Sequence, residues 1–139
     1  MAVATTYQNA TRYRQTQTST ATNTQLVVML YDGAIRFLSI AQSRMSKQDL
    51  EIRHRNLLNA QRIISQLMAS LDFEQGGEVA ANLQRIYIYM LRELWAANRH
   101  DKVEPITEVI AELRILRESW ATLDEQQKLK MAAIGEFGA

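Results

Sequence analysis

Chain breakers are nearly missing from this sequence, and the places where they stand dictate what it can fold into. Glycine and proline together supply six of 139 residues, about 4%, against roughly 12% in average usage. A sheet of many strands needs a turn every few residues, and those turns draw on Gly, Pro and Asn. The scarcity argues against a fold of that kind, and it excludes collagen-like and Pro/Gly-rich disordered chains. The breakers cluster at Gly76-Gly77, at the sole proline Pro105, and at Gly135 and Gly138, with Gly33 standing alone. The long uninterrupted stretches between them read as helices.

Each stretch carries its own start and stop signals. Thr22-Asn23-Thr24-Gln25 is a capping box, with a hydroxyl and an amide placed to satisfy orphan backbone donors, so a first helix runs from Thr22 to about Met45. Leu26, Leu30, Gly33, Phe37 and Ala41 follow its 3/4 spacing. Gly33 in mid-helix costs about 1 kcal/mol relative to alanine, which a close helix–helix approach would justify. A second helix opens at Asp49 and carries Leu57, Ala60, Ile64, Leu67, Met68 and Leu71; it is expected to end at Phe73, before Gly76-Gly77. A third runs from Glu78 to about Asn98, with Val79, Leu83, Tyr87, Met90 and Leu94 on one line and Ile88, Leu91 and Trp95 on another. A fourth begins between Asp101 and Pro105, where proline is tolerated in the first turn. Ile106, Val109, Ile110, Leu113, Leu116 and Trp120 form its apolar face. A short fifth segment is expected over Leu123–Ile134. The predicted architecture is all-α: an antiparallel up-down four-helix bundle over residues 22–121, preceded by a flexible N-terminal arm over 1–21 and followed by a short helix and frayed tail over 122–139.

Most chemistry is excluded by what the chain lacks. No cysteine is present, which removes disulfides, zinc ribbons, iron–sulfur clusters and thiol nucleophiles. Two histidines offer no Ser-His-Asp arrangement, and neither a P-loop nor a dinucleotide fingerprint occurs. Glu51-Ile52-Arg53-His54 matches the Glu-x-x-His of di-iron bundles once, but that architecture needs the motif twice plus two further glutamates. Catalytic residues, a metal and a cofactor are therefore all read as absent, with His54 a solvated surface residue. Asp32 and Asp72 are read as capping or surface hydrogen-bonding groups. A net charge of +1, with Arg12/Arg14 and Arg53/Arg55 too sparse for a basic stripe, argues against a nucleic-acid partner. No apolar run approaches the ~20 residues of a spanning helix, and the N-terminus has no apolar core of a secretory signal. A cytoplasmic protein without membrane insertion is the expectation.

What remains is surplus apolar surface. A compact bundle uses about three apolar positions per heptad on each helix, and helices two and three offer more over wider arcs. Tyr87, Tyr89, Trp95, Ile63 and Ile64 cannot readily all face one axis. Either part of that arc stays open as a groove for a partner's amphipathic helix, or all of it is core, covered by the arm or the fifth segment. The first reading is preferred; its candidate partner-binding residues are Ile63, Ile64, Leu67, Leu71, Tyr87, Leu91 and Trp95. Tyr7 and Tyr13, two aromatics in a polar arm, join them as residues able to dock and undock. A self-associating bundle, its wide stripe serving as a homodimer interface, is the alternative.

Four motifs in order resemble one family. Leu30-Tyr31-Asp32-Gly33-Ala34-Ile35-Arg36-Phe37-Leu38 is similar to the first-helix signature of the FliS family of flagellin-specific export chaperones. Ala60 to Leu67, followed by Ser70-Leu71-Asp72-Phe73-Glu74-Gln75-Gly76-Gly77-Glu78, resembles its second-helix ending. Asn82-Leu83 with Tyr87-Ile88-Tyr89-Met90 resembles its third helix, and Glu108-Val109-Ile110 through Leu113-Arg114 to Trp120 its fourth. The resemblance implies a small antiparallel bundle that binds the disordered C-terminal segment of new flagellin in the cytoplasm. It implies, too, that binding prevents premature polymerisation and that the client passes to the flagellar type III export gate. It further implies an N-terminal arm, here bearing Tyr7 and Tyr13, lying over part of the binding surface. Family members commonly place Ser/Thr-Pro at the start of helix one; here Asn23 follows Thr22, and the capping box is kept.

Overall fold

The computed structural model describes residues 23–138, with side chains as far as Gln126 and at Leu129. Four helices account for nearly all of it: α1 Asn23–Ser43, α2 Leu50–Ala69, α3 Phe73–His100 and α4 Glu104–Gly138, with one 3-10 turn, Lys47–Asp49, before α2. Helix α1 packs on α2 and α4, and α3 packs on the same two, so α1 and α3 face each other across the diagonal. Short connections make each helix antiparallel to the next, the bundle that the helix pattern predicts.

The helix ends show where local signals win and where they lose. Thr22 of the capping box lies outside the described residues, as do Tyr7 and Tyr13. Asp49 occupies the N-cap position of α2 but makes no side-chain cap there. Its carboxylate instead accepts from Ser46 Oγ at 3.1 Å. Helix α2 stops at Ala69 rather than Phe73, and Ser70 N–H closes it onto Gln66 and Leu67 carbonyls. The stop comes early because Asp72 starts the next helix: its Oδ1 accepts from the backbone amides of Glu74 at 3.0 Å and Gln75 at 3.1 Å. The glycine pair then breaks one turn inside α3, where Gly77 adopts φ 48° and ψ −120°. Only glycine takes such a backbone without steric cost.

The fifth helix is a correction. Residues 123–138 continue α4 without interruption. Nothing between Ala121 and Gln127 lacks a side chain or a backbone N–H, so no residue there ends the helix. Helix α4 therefore has 35 residues, about 50 Å at ~1.5 Å per residue. It is tied to the start of α1 by a buried bond of 2.8 Å from Thr24 Oγ1 to Asp124 Oδ1.

The core is one cluster with an even share from every helix. Tyr31, Ala34, Leu38 and Ala41 of α1 meet Leu57, Ala60, Ile64 and Leu67 of α2. Tyr87, Met90, Leu94 and Ala97 of α3 meet Ile106, Val109, Ile110 and Leu113 of α4. Alanines alternate with larger side chains, which lets the helices approach closely while the large residues fill the axis. Gly33 completes the α1–α2 approach: a Cβ there would lie 3.3 Å from Ile63 Cδ1, the close contact that a mid-helix glycine predicts. At the centre the Tyr31 and Tyr87 hydroxyls hydrogen-bond across the diagonal, and Trp120 packs against the same core. Burial pushes both phenols above their ordinary range.

Arg53, beside the exposed His54 and Arg55, points the other way, into the bundle. Its side chain is 1% exposed, bonded to Met45 carbonyl at 3.2 Å and ion-paired with Asp101. Asp101 caps α3 in a left-handed conformation at φ 54°. One guanidinium thus joins the α1–α2 and α3–α4 connections at the same end of the bundle. Helix α1 also has the length and hydropathy of a spanning segment, 1.2 over its most apolar window, more than a run of uninterrupted apolar residues predicts. Its apolar stripe faces the bundle, and Asp32 on its outer side pairs with Arg117 of α4 at 2.8 Å.

Candidate partner-binding surface

Helix α3 divides its large side chains between the axis and two outer flanks. Successive residues on a helix lie about 100° apart. Tyr87 and Tyr89, two positions apart, therefore point to opposite sides: Tyr87 is 1% exposed, while Tyr89 stands in solvent. Three candidates fall in the core for this reason. Ile64 and Leu67 share the line of Leu57 and Ala60 that faces the axis, and Tyr87 shares that of Met90 and Leu94. All three are buried on the bundle axis and, as packed here, offer no surface to a partner. Ile63 turns toward α1 and fills the space over Gly33. Leu71, in the α2–α3 connection, is half-buried against the core, as is Leu91.

Of the candidate residues among the described ones, Trp95 is the exposed one. It is 58% accessible, with the Arg99 guanidinium over its ring at 5.0 Å. A contact of 3.3 Å between His54 Nε2 and Asn98 Nδ2 sets the register of α2 against α3. Leu58, one turn beyond His54 and also exposed, therefore lies level with Trp95. This flank is an apolar strip with an Arg-stacked indole, an arrangement that gives large contact area at low entropy cost.

The opposite flank, between α3 and α4, holds a groove of about 370 Å³ lined by Arg85, Ile86, Tyr89, Glu112, Ile115 and Leu116. Ile115 is 68% exposed. Periodicity alone missed this groove. The signal was present: Ile115 falls off the line of Ile106, Val109, Leu113, Leu116 and Trp120, and Tyr89 falls off that of Tyr87 and Met90. Large apolar residues off the core line of an amphipathic helix have no bundle neighbour to cover them. Glu112 is pushed up by burial first, then by Glu108 and Glu93, and Tyr89 is raised mainly by Glu93. Asp32 and Asp72 have the roles expected of them, an exposed ion pair and a helix cap. Glu51 pairs with Arg55 rather than with His54.

Exposed apolar side chains thus stand on either side of one helix, beside a filled core. Residues 5–127 match the family described as "Flagellar protein FliS". The chain is 33% identical over 110 residues to the flagellar secretion chaperone FliS of Bacillus subtilis, covering 79% of this chain and 81% of that protein. It is 39% identical over 97 residues to the flagellar secretion chaperone FliS of Salmonella typhimurium, covering 69% and 72%. The protein of the same name from Campylobacter jejuni is 33% identical over 108 residues, covering 78% and 84%. With the family matched over most of its length and the bundle in place, this chain belongs to the FliS family of flagellar secretion chaperones.

Proposed function

We propose that this protein binds the disordered C-terminal segment of flagellin in the cytoplasm, holds it back from polymerising and delivers it to the flagellar type III export gate. The observation that carries the reading is the exposed apolar surface on both flanks of α3, Leu58 and Trp95 on one and Tyr89 and Ile115 on the other. The core beneath is already complete, so the segment adds to the bundle without opening it. A disordered client pays its ordering entropy on binding, which keeps a large interface reversible. Reversibility matters because export requires release. Tyr7 and Tyr13 of the N-terminal segment compete for the same surface in this scheme, lowering apparent affinity by the fraction of time they occupy it.

The test is co-purification with flagellin, intact and lacking its C-terminal region. Intact flagellin is expected to be retained and the truncated form lost. Equal recovery of both forms would refute the assignment.

A further inference from the structure

The groove between α3 and α4 is apolar in its walls and acidic at one end. Ile86, Tyr89, Ile115 and Leu116 supply the walls. Glu112 lies among them, with its Oε2 shut off from solvent and no hydrogen-bond partner. Glu108 is one turn before it on α4, and Glu93 is one turn beyond Tyr89 on α3, close enough that the three carboxylates oppose one another's charge. None of the three is ion-paired among the described residues. Arg85, one turn before Tyr89, stands at the other end and is bonded to Asn82. The groove is therefore electrically polarised along its length.

Like charges at i, i+4 on one helix and a desolvated carboxylate oxygen both cost stability. A partner cation removes both costs together. A hydrated metal ion does not suit the place, because hard cations take six or more oxygen ligands and these walls are carbon. An apolar stripe with a basic side chain one turn away fits both features at once. We propose that this groove takes a helical turn of the client segment, its apolar side chains between Tyr89 and Ile115 and a lysine or arginine of the client against Glu108 and Glu112. The inference rests on the flagellin reading above and adds the chemistry the client must carry: a cation at the Glu108 end and none facing Arg85.

The test measures binding of the purified flagellin C-terminal segment to the full chain at about 50 and 300 mM salt, by calorimetry. Three proteins are compared: the parent, E108Q/E112Q, and E51Q/E125Q as a control with the same change in net charge. The parent is expected to bind more weakly at high salt, because a half-exposed charge pair is screened over about 10 Å or less. The E108Q/E112Q variant is expected to lose about tenfold in affinity at low salt and most of the salt dependence, while the control matches the parent. A client segment with its basic residue changed to Glu is expected to recover affinity on an E112K variant. Unchanged affinity and salt slope in E108Q/E112Q overturns the groove assignment and leaves the flagellin reading standing. A melting temperature well below the parent's marks the carboxylates as structural and also overturns it. If the parent binds no segment at all, both readings fall.

Discussion

The hydroxyl pair at the bundle centre makes a prediction whose size follows from its partners. Tyr31 and Tyr87 are both buried and bonded to each other across the diagonal. Replacing Tyr87 with Phe removes the bond and orphans the Tyr31 hydroxyl in the core, a loss of about 1–3 kcal/mol. Replacing Tyr31 with Phe orphans the Tyr87 hydroxyl in the same way, a loss of similar size. The double variant removes the orphan itself and is expected to cost no more than Tyr31→Phe alone. The cycle should therefore show a coupling of at least about 1 kcal/mol. Urea unfolding at pH 7 reads these values, and melting gives a parallel scale of about 3–4 °C per kcal/mol.

The same pair predicts an alkaline limit. Both phenols are raised above 10.0 in the folded state, so the fold holds protons that the unfolded chain releases above that pH. Their contribution is intact below pH 10 and falls above it, by up to about 1.4 kcal/mol per pH unit for each tyrosine. The parent should lose stability between about pH 10 and 11.5 more steeply than the double Phe variant. Additive single-variant losses, with equal alkaline slopes in parent and double variant, would refute the buried-pair argument.

Arg53→Ala is expected to destabilise by about 2–3 kcal/mol in the same urea assay. The change removes a buried guanidinium and opens a space between two connections, while Asp101, mostly exposed, returns to water. Trp95→Asp is expected to leave the melting temperature within a degree or two and weaken flagellin binding severalfold, because the indole is solvent-facing. Ile64→Asp should instead prevent folding, since it places a carboxylate on the bundle axis; circular dichroism distinguishes the two outcomes.

The helices and their order are legible in the chain alone, because periodicity of 3.6 and scarcity of breakers are properties of the amino-acid sequence itself. The mid-helix Gly33 is legible as a packing site for the same reason: its propensity cost demands a contact, and Ile63 supplies it. Competition between local signals is harder to read. Asp72 and Gly76-Gly77 each offer a boundary within five residues, and the cap and the break both form, one turn apart. The run-on of α4 escapes a reading by polarity because the polar residues after Trp120 interrupt its apolar face, yet nothing between Ala121 and Gln127 breaks a helix.

The candidate surface is legible as an amount and not as a place. A surplus of large apolar residues on helices two and three follows from composition along each face. Which of them turn inward depends on the rotation of each helix about its own axis, and that rotation is set by partners far away in sequence. Tyr31 draws Tyr87 inward through a bond spanning 56 residues, and Tyr89 is thereby turned out beside Ile115. Arg53 is drawn in by Asp101, 48 residues on. The chain by itself determined that four amphipathic helices would pack with apolar surface to spare. Only the packed bundle, by choosing one rotation for all four helices at once, decided where the surplus lies.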